Sequence, residues 1–476
     1  MQQLALESGV AFGTSGARGL VSALTEAVCQ AYTTAFLNAV VPQAPRIVLG
    51  CDLRPSSPSI MRACAKAIHA AGREVVFAGA LPTPALAFYS LQQGLPAVMV
   101  TGSHIPFDRN GIKFYRADGE ISKADEAAMM AATVPAETWS AAGDLVPDVE
   151  VLGAYLARYR AFFPAGFLAG RRIGVYEHSS VARDALGELL RSFGATVVSL
   201  GRTDAFVPVD TEAVSAADRA QGLAWAAQHR LDAILSTDGD ADRPLIADER
   251  GQWLRGDIVG LLCARYLGAR VVATPVSCNT AIERCGAFGQ VLRTRIGSPY
   301  VIAAMEVALA AGATGVVGFE ANGGFLLGDA IERNGRNLAA LPTRDAVLPM
   351  LALLAMAAER GVSLSALSAD LPGRFTASDR VQNFPVERSR ALLSKLQGSR
   401  EAIGSLVGAI CGVVASEDLT DGLRLSFENG EIVHLRPSGN APELRCYAEA
   451  DSEARAGELV RKVLGRVTAT GQGVPF

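Results

Sequence analysis

Aromatic residues make up only 6% of this 476-residue chain, and its charges nearly cancel, 44 Lys and Arg standing against 48 Asp and Glu. A nucleic-acid binder needs a basic surplus and, for single strands, aromatic stacking platforms, so no nucleic-acid partner is expected. No C-x-x-C pair occurs among the cysteines at 29, 51, 64, 263, 278, 285, 411 and 446. A zinc ribbon or thioredoxin-type motif is therefore unsupported, and free, mostly buried thiols are expected. Long apolar runs are missing as well. The longest, 346–358, is interrupted by Pro349 and falls short of the ~18–20 residues that span a bilayer, so it reads as a buried helix. The first fifteen residues hold no Lys or Arg and no apolar core. No secretory leader and no membrane partner are expected, and the cytoplasm is the expected location.

What is present is core material: half of the residues are hydrophobic. At roughly 100–200 residues per domain, the length allows three or four domains. One pattern recurs on that scale. RIVLG at 46–50, RIGVY at 172–176 and RVVAT at 270–274 each open a unit of short apolar strand, polar turn, helix and second strand. The helices are expected at 59–71, up to 192, and near 280–285; the second strands at 74–77, 196–200 and 290–293. Such alternation argues for parallel α/β units. Each unit then adds an apolar strand (97–100, 233–235, 315–317) that runs into a polar, glycine-bearing loop. Ligands gather outside the carboxyl ends of such strands, so these three loops are the expected site builders. The pattern stops near 371–374. EIVHL at 431–435, a loop, a strand at 445–448 and a long terminal helix follow. The expected fold is three related α/β domains with mixed sheets plus a smaller C-terminal α+β domain, around a central active-site cleft. Lapses in periodicity divide them as 1–148, 149–253, 254–371 and 372–476.

TGSHIPFDRNGIK at 101–113 puts Ser103 in a tight loop straight after a buried strand, beside His104 and ten residues before Lys113. Ser103 is a candidate nucleophile or phosphate carrier, with His104 and Lys113 placed to hold or shuttle protons. The plainer alternative is a turn in which Asn110-Gly111 reverses the chain. DGDADR at 238–243 offers Asp238, Asp240 and Asp242 within five residues. These carboxylates would repel one another without a cation, which favours a hard divalent metal over an acidic turn neutralised by Arg243. An EF-hand does not fit, because the sixth position holds Arg243 where that loop needs glycine. FGTSGARG at 12–19 resembles an anion nest with Arg18. RPSGNAPELR at 436–445 frames a Ser-Gly-Asn turn with two arginines, suited to phosphate or to an ordinary hairpin. GFEANGG at 318–324 sets Glu320 and Asn322 where they can read hydroxyls.

The four loops together resemble those of the α-D-phosphohexomutases, the bacterial phosphomannomutase and phosphoglucomutase group, along nearly the whole chain. The family's phosphoserine loop, T-A-S-H-N-P then N-G-x-K, is similar to 101–113, with Ser103 at the phosphorylated position. Its D-G-D-x-D-R metal loop is matched by 238–243, its F-G-T-x-G-x-R-G opening by 12–19, and its R-x-S-G-T-E-P-x-x-R loop by 436–445. The resemblance implies Ser103, His104, Arg18 and Lys113 as catalytic residues. Ser103, Asp238, Asp240 and Asp242 would hold Mg²⁺. Arg243, Glu320, Asn322, Arg436, Ser438, Gly439, Asn440 and Arg445 would bind substrate. It further implies mannose 6-phosphate to mannose 1-phosphate interconversion through a phosphoserine and a hexose 1,6-bisphosphate, which also serves as activator. Glucose or dual specificity is the alternative, glucosamine-phosphate conversion a weaker one, and a metal-dependent phosphatase the rival outside the family. The partners would be small hexose phosphates, the assembly a monomer or weak homodimer, and the fourth domain mobile. Two departures stand out. Gly102 replaces the family's usual alanine, expected to change loop flexibility. The sugar loop lacks the histidine of G-E-x-S-G-H and carries Gly324 there, leaving Arg18, His104 and Lys113 as candidates for proton transfer.

Overall fold

The structure is a computed structural model that describes residues 1–13, 16–134, 139, 145–438 and 442–470. The three repeats share one topology. In the first, strand Arg46–Cys51 lies between the parallel strands Glu74–Ala80 and Ala97–Val100, and Arg109–Arg116 adds antiparallel to the latter. In the second the same places are taken by Arg172–Tyr176, Thr196–Leu200, Ala233–Thr237 and Pro244–Ala247. In the third they are taken by Val271–Pro275, Gln290–Thr294, Val316–Phe319 and Phe325–Leu327. The sheets are thus mixed. The closing strand went unread because RNGIKFYR carries charges that look incompatible with a buried strand, although six of its eight residues are buried. Asn110-Gly111 lies within this strand, paired with Gly19 and Arg18, so the chain-reversing turn is excluded. In each repeat the loop between third and closing strands is one of the polar loops singled out above.

The apolar run near 350 forms helix Val347–Arg360, buried from Val347 to Ala357. Pro349 sits in its first turn, where a missing N–H costs nothing, and left-handed Gly361 ends it. Among the described residues, no helix is long and apolar enough to cross a membrane. All eight cysteines are free, seven of them buried.

Two junctions position the site. Strand Leu341–Asp345 extends the third sheet. From it Thr343 donates to Glu120 of the first unit at 2.6 Å, and Asp345 accepts from Tyr155 at 2.6 Å and from Tyr159, both on the linking helix Glu150–Phe162. The C-terminal unit is an antiparallel five-stranded sheet backed by Val386–Leu396 and Glu453–Thr470. It rests on the third unit: Glu449 accepts from Thr280 N at 2.9 Å, and Asn279 Nδ2 donates to the Arg374 carbonyl at 2.8 Å.

Candidate active site

The nucleophile loop is held from below. Asp52, fully buried at the end of strand Arg46–Cys51, accepts from Ser57 Oγ at 2.5 Å, Thr101 Oγ1 at 2.7 Å and Gly102 N at 3.3 Å. Arg54, equally buried, donates to the carbonyls of Ser103 (2.9 Å), Ile105 (2.5 Å), Pro106 (2.8 Å) and Arg109 (2.9 Å), and its guanidinium lies 4.0 Å from the Phe206 ring centroid. This explains Gly102. A Cβ there would come within 2.5 Å of the Arg54 guanidinium, so in this chain the glycine makes room for Arg54. The clamp holds Ser103 in the left-handed region at φ 53°, a conformation costing a non-glycine residue on the order of 1–3 kcal/mol.

Ser103 Oγ donates to Asp238 Oδ2 at 2.6 Å and lies 3.2 Å from His104 Nδ1. The acidic loop crosses directly over the serine. A Cβ on Gly239 would lie 2.8 Å from Ser103 O, and Ala241 adopts φ 59°. Ligand oxygens of Asp238, Asp240 and Asp242 lie within 4.8 Å of one another, all buried. Thr83 Oγ1 fixes Asp240 Oδ2 at 2.7 Å. Lys113 Nζ, buried, bridges Asp240 Oδ2 at 2.7 Å and Asp242 Oδ2 at 2.8 Å. The outer oxygens, Oδ1 of Asp240 and of Asp242, are buried without a hydrogen-bond partner. Orphaned hard oxygens in a carboxylate cluster are a donor set that fits a divalent cation.

The electrostatics follow from this crowding. Burial, with repulsion from Asp240 and Asp242, pushes the Asp238 carboxyl well above its usual range. Burial acts on Asp242 in the same sense, but Arg344, Lys113 and Arg243 overcome it and hold that carboxyl below. Burial opposes the Lys113 charge too, and Asp240 and Asp242 win, so its ammonium titrates above its ordinary value. Arg243 donates to His104 Nδ1 at 2.8 Å. That guanidinium first, and burial second, hold the imidazole well below its ordinary value, so it stays neutral near pH 7. Arg18 sits opposite Gly111 on the neighbouring strand; burial, then Arg243 and Arg344, bring its guanidinium down to about 10.

The third loop places Glu320, buried, against Arg344 Nη1 at 3.2 Å. Asn322 turns its Oδ1 onto Gly324 N at 2.9 Å, closing the loop. In the C-terminal unit Arg436 and Arg445 face each other across a strand pair; Arg436 Nε meets Asp421 at 2.9 Å, and Ser438 is buried. Gly439 and Asn440 lie outside the described residues. Burial and Asp210 raise the Glu212 carboxyl against the pull of Arg445, Arg255 and Arg243. Ser103, His104, Lys113, the three aspartates, Arg243 and Glu320 thus share one cluster. The sequence reading missed Asp52, Arg54, Thr83, Glu212 and Arg344, all single residues in unremarkable local contexts.

Comparison with known proteins places this cluster in a family. Four family models match in order: phosphoglucomutase/phosphomannomutase alpha/beta/alpha domain I over residues 9–139, domain II over 163–251, domain III over 255–375, and the C-terminal domain over 382–465. A phosphomannomutase of Salmonella muenchen is 49% identical over 470 residues, covering 97% of this chain and 96% of its own. The chain belongs to the phosphoglucomutase/phosphomannomutase family. Another phosphomannomutase, from Sinorhizobium fredii, is 48% identical over 470 residues, with 96% and 98% covered. Among solved structures, a phosphoglucomutase/phosphomannomutase family protein from Burkholderia thailandensis shares this phosphohexomutase's fold, at TM-score 0.76, 20% identity and 97% and 98% coverage. The Aspergillus fumigatus N-acetylphosphoglucosamine mutase solved with GlcNAc-6P and magnesium follows at TM-score 0.58 and 14% identity, with 98% and 99% covered. The chain is therefore a mutase, an isomerase by family.

Proposed function

We propose that this phosphohexomutase interconverts mannose 6-phosphate and mannose 1-phosphate, with phosphate carried on Ser103 and a hexose 1,6-bisphosphate as intermediate and activator. The observation that carries the reading is the Ser103 hydroxyl, 2.6 Å from a carboxylate of a three-aspartate cluster in a loop of another repeat. The two phosphomannomutase relatives support mannose as the sugar.

Asp238, Asp240 and Asp242, with a phosphate oxygen on Ser103, would hold Mg²⁺, the ion in the Aspergillus relative's structure. When bound, the cation neutralises charge on the transferring phosphoryl group. The other tasks fall to the chain. In the first transfer the bond between Ser103 Oγ and phosphorus breaks as one forms to a sugar hydroxyl, whose proton must leave; in the second the Ser103 hydroxyl loses its proton and takes the other phosphoryl group as that group's bond to the sugar oxygen breaks. Lys113 is an ammonium locked between two carboxylates and Arg18 remains a cation near pH 7, so both hold charge. His104 is the uncharged member of the three candidates, and Arg243, which donates to its Nδ1 and weakens it as a base, would have to leave that nitrogen before it takes the proton. Glu320 and Asn322 would meet sugar hydroxyls. Arg436, Ser438, Gly439, Asn440 and Arg445 would hold the phosphate that is not reacting, a task suited to the two guanidinium groups that face each other at 436 and 445. Turning the bisphosphate end for end then presents its second phosphate to Ser103.

The test is a coupled assay with mannose, glucose and glucosamine 1-phosphates, Mg²⁺ and catalytic hexose 1,6-bisphosphate. Turnover fastest with mannose 1-phosphate is expected. A glucose preference would reassign the sugar, and steady release of inorganic phosphate instead of isomer would favour the phosphatase.

A further inference from the structure

Arg344 belongs to none of the recognisable loops, yet it ties two of them together. It lies on strand Leu341–Asp345, buried, with Nε and Nη2 on Asp242 Oδ2 at 3.0 and 2.7 Å and Nη1 on Glu320 Oε1 at 3.2 Å. Its neighbours Thr343 and Asp345 are anchored to the first unit and to the linking helix, so the segment is held on both sides. The stem passes over the sugar loop. A Cβ on Gly324 would lie 2.7 Å from Arg344 Cδ and 2.9 Å from Cγ. Position 324 is where the family motif carries its histidine. A side chain there and Arg344 in its present path exclude each other.

We propose that Arg344 is the positioning residue of the sugar site, orienting Glu320 toward the substrate and locking it to the metal ligand Asp242, and that Gly324 exists to admit it. The proposal rests on the mutase reading. One planar guanidinium can grip two carboxylates at fixed angles, which a lysine ammonium cannot. A carboxylate has about four acceptor sites, so one bond to Arg344 leaves Glu320 able to receive hydroxyls. Glu320 therefore meets the sugar at a position set by the metal loop, and the missing histidine is answered by a strand residue.

Three variants test this in the full chain: Arg344→Lys, Arg344→Gln and Gly324→Ala. For Arg344→Lys the KM for mannose 1-phosphate should rise about tenfold, the worth of one charge-assisted bond, with kcat changing much less. Gly324→Ala should shift KM in the same direction without removing any charge. Calorimetric titration with Mn²⁺ alone should show tighter binding to Arg344→Gln, because a cation has left Asp242. Unchanged KM in both Arg344→Lys and Gly324→Ala would overturn the proposal. So would a joint fall of kcat, sugar affinity, Mn²⁺ affinity and melting temperature, the pattern of a purely structural residue. Should the wild type not isomerise any hexose phosphate, the mutase reading fails, and the Mn²⁺ titration still decides the link to Asp242: tighter binding supports it and unchanged binding refutes it.

Discussion

Replacing Arg54 by lysine keeps the charge and removes the fork, and the consequence should appear at Ser103. Arg54 now satisfies four carbonyls between Ser103 and Arg109 at 2.5–2.9 Å and lies 3.5 Å from Asp52. An ammonium radiates its donors from one point and cannot span those acceptors. With about two of the bonds lost, at ~1.5 kcal/mol each, the loop should lose ~3 kcal/mol of local stability. The left-handed Ser103 has then less to hold it in place. A loss of ~3 kcal/mol corresponds to roughly a hundredfold more frequent local opening. Hydrogen–deuterium exchange read on peptides covering 101–111 should show it at the amides of Ile105 and Arg109, whose bonds go to Gly102 and Pro106 of the same loop. Exchange in the flanking helix Ser57–Ala70 should stay near wild type. Loop exchange indistinguishable from wild type would refute the clamp.

Chelation should lower the melting temperature and Mg²⁺ restore it, because the buried Oδ1 atoms of Asp240 and Asp242 lack a hydrogen bond and a cation would satisfy them; at a hundredfold excess over Kd the gain is about 2.7 kcal/mol, and Asp240→Asn should abolish most of the shift. Burial first of all lowers the imidazoles of His178 and His434 to about 4. The unfolded chain therefore takes up protons first, and their contribution is intact above about pH 6.5, then lost as pH falls toward 4, on the order of 3 kcal/mol each. Urea midpoints should fall between pH 7 and 5, and less steeply in His434→Gln; equal slopes would contradict this.

The sequence displayed the loops and concealed their supports. Ser103 and the aspartates stand in short motifs whose composition announces chemistry, and the strand–helix alternation exposed the three repeats. The closing strand Arg109–Arg116 stayed hidden because Lys113 looks like a surface residue until Asp240 and Asp242 are brought to it from 127 and 129 residues away. Arg54 and Arg344 have the same history. Nothing around Arg344 signals a partner 102 residues earlier in Asp242, because a buried ion pair between units is a property of the assembled fold. Gly102 and Gly324 were visible as departures from a motif, but their reason is the arginine packed on each.

The central claim is that Ser103 carries the phosphoryl group. Peptide mass spectrometry after incubation with hexose 1,6-bisphosphate and Mg²⁺ tests it directly. The account predicts one added phosphoryl group on the peptide containing Ser103, lost on addition of hexose monophosphate and never formed in Ser103→Ala. An unmodified Ser103 in protein that still isomerises mannose 1-phosphate would contradict it.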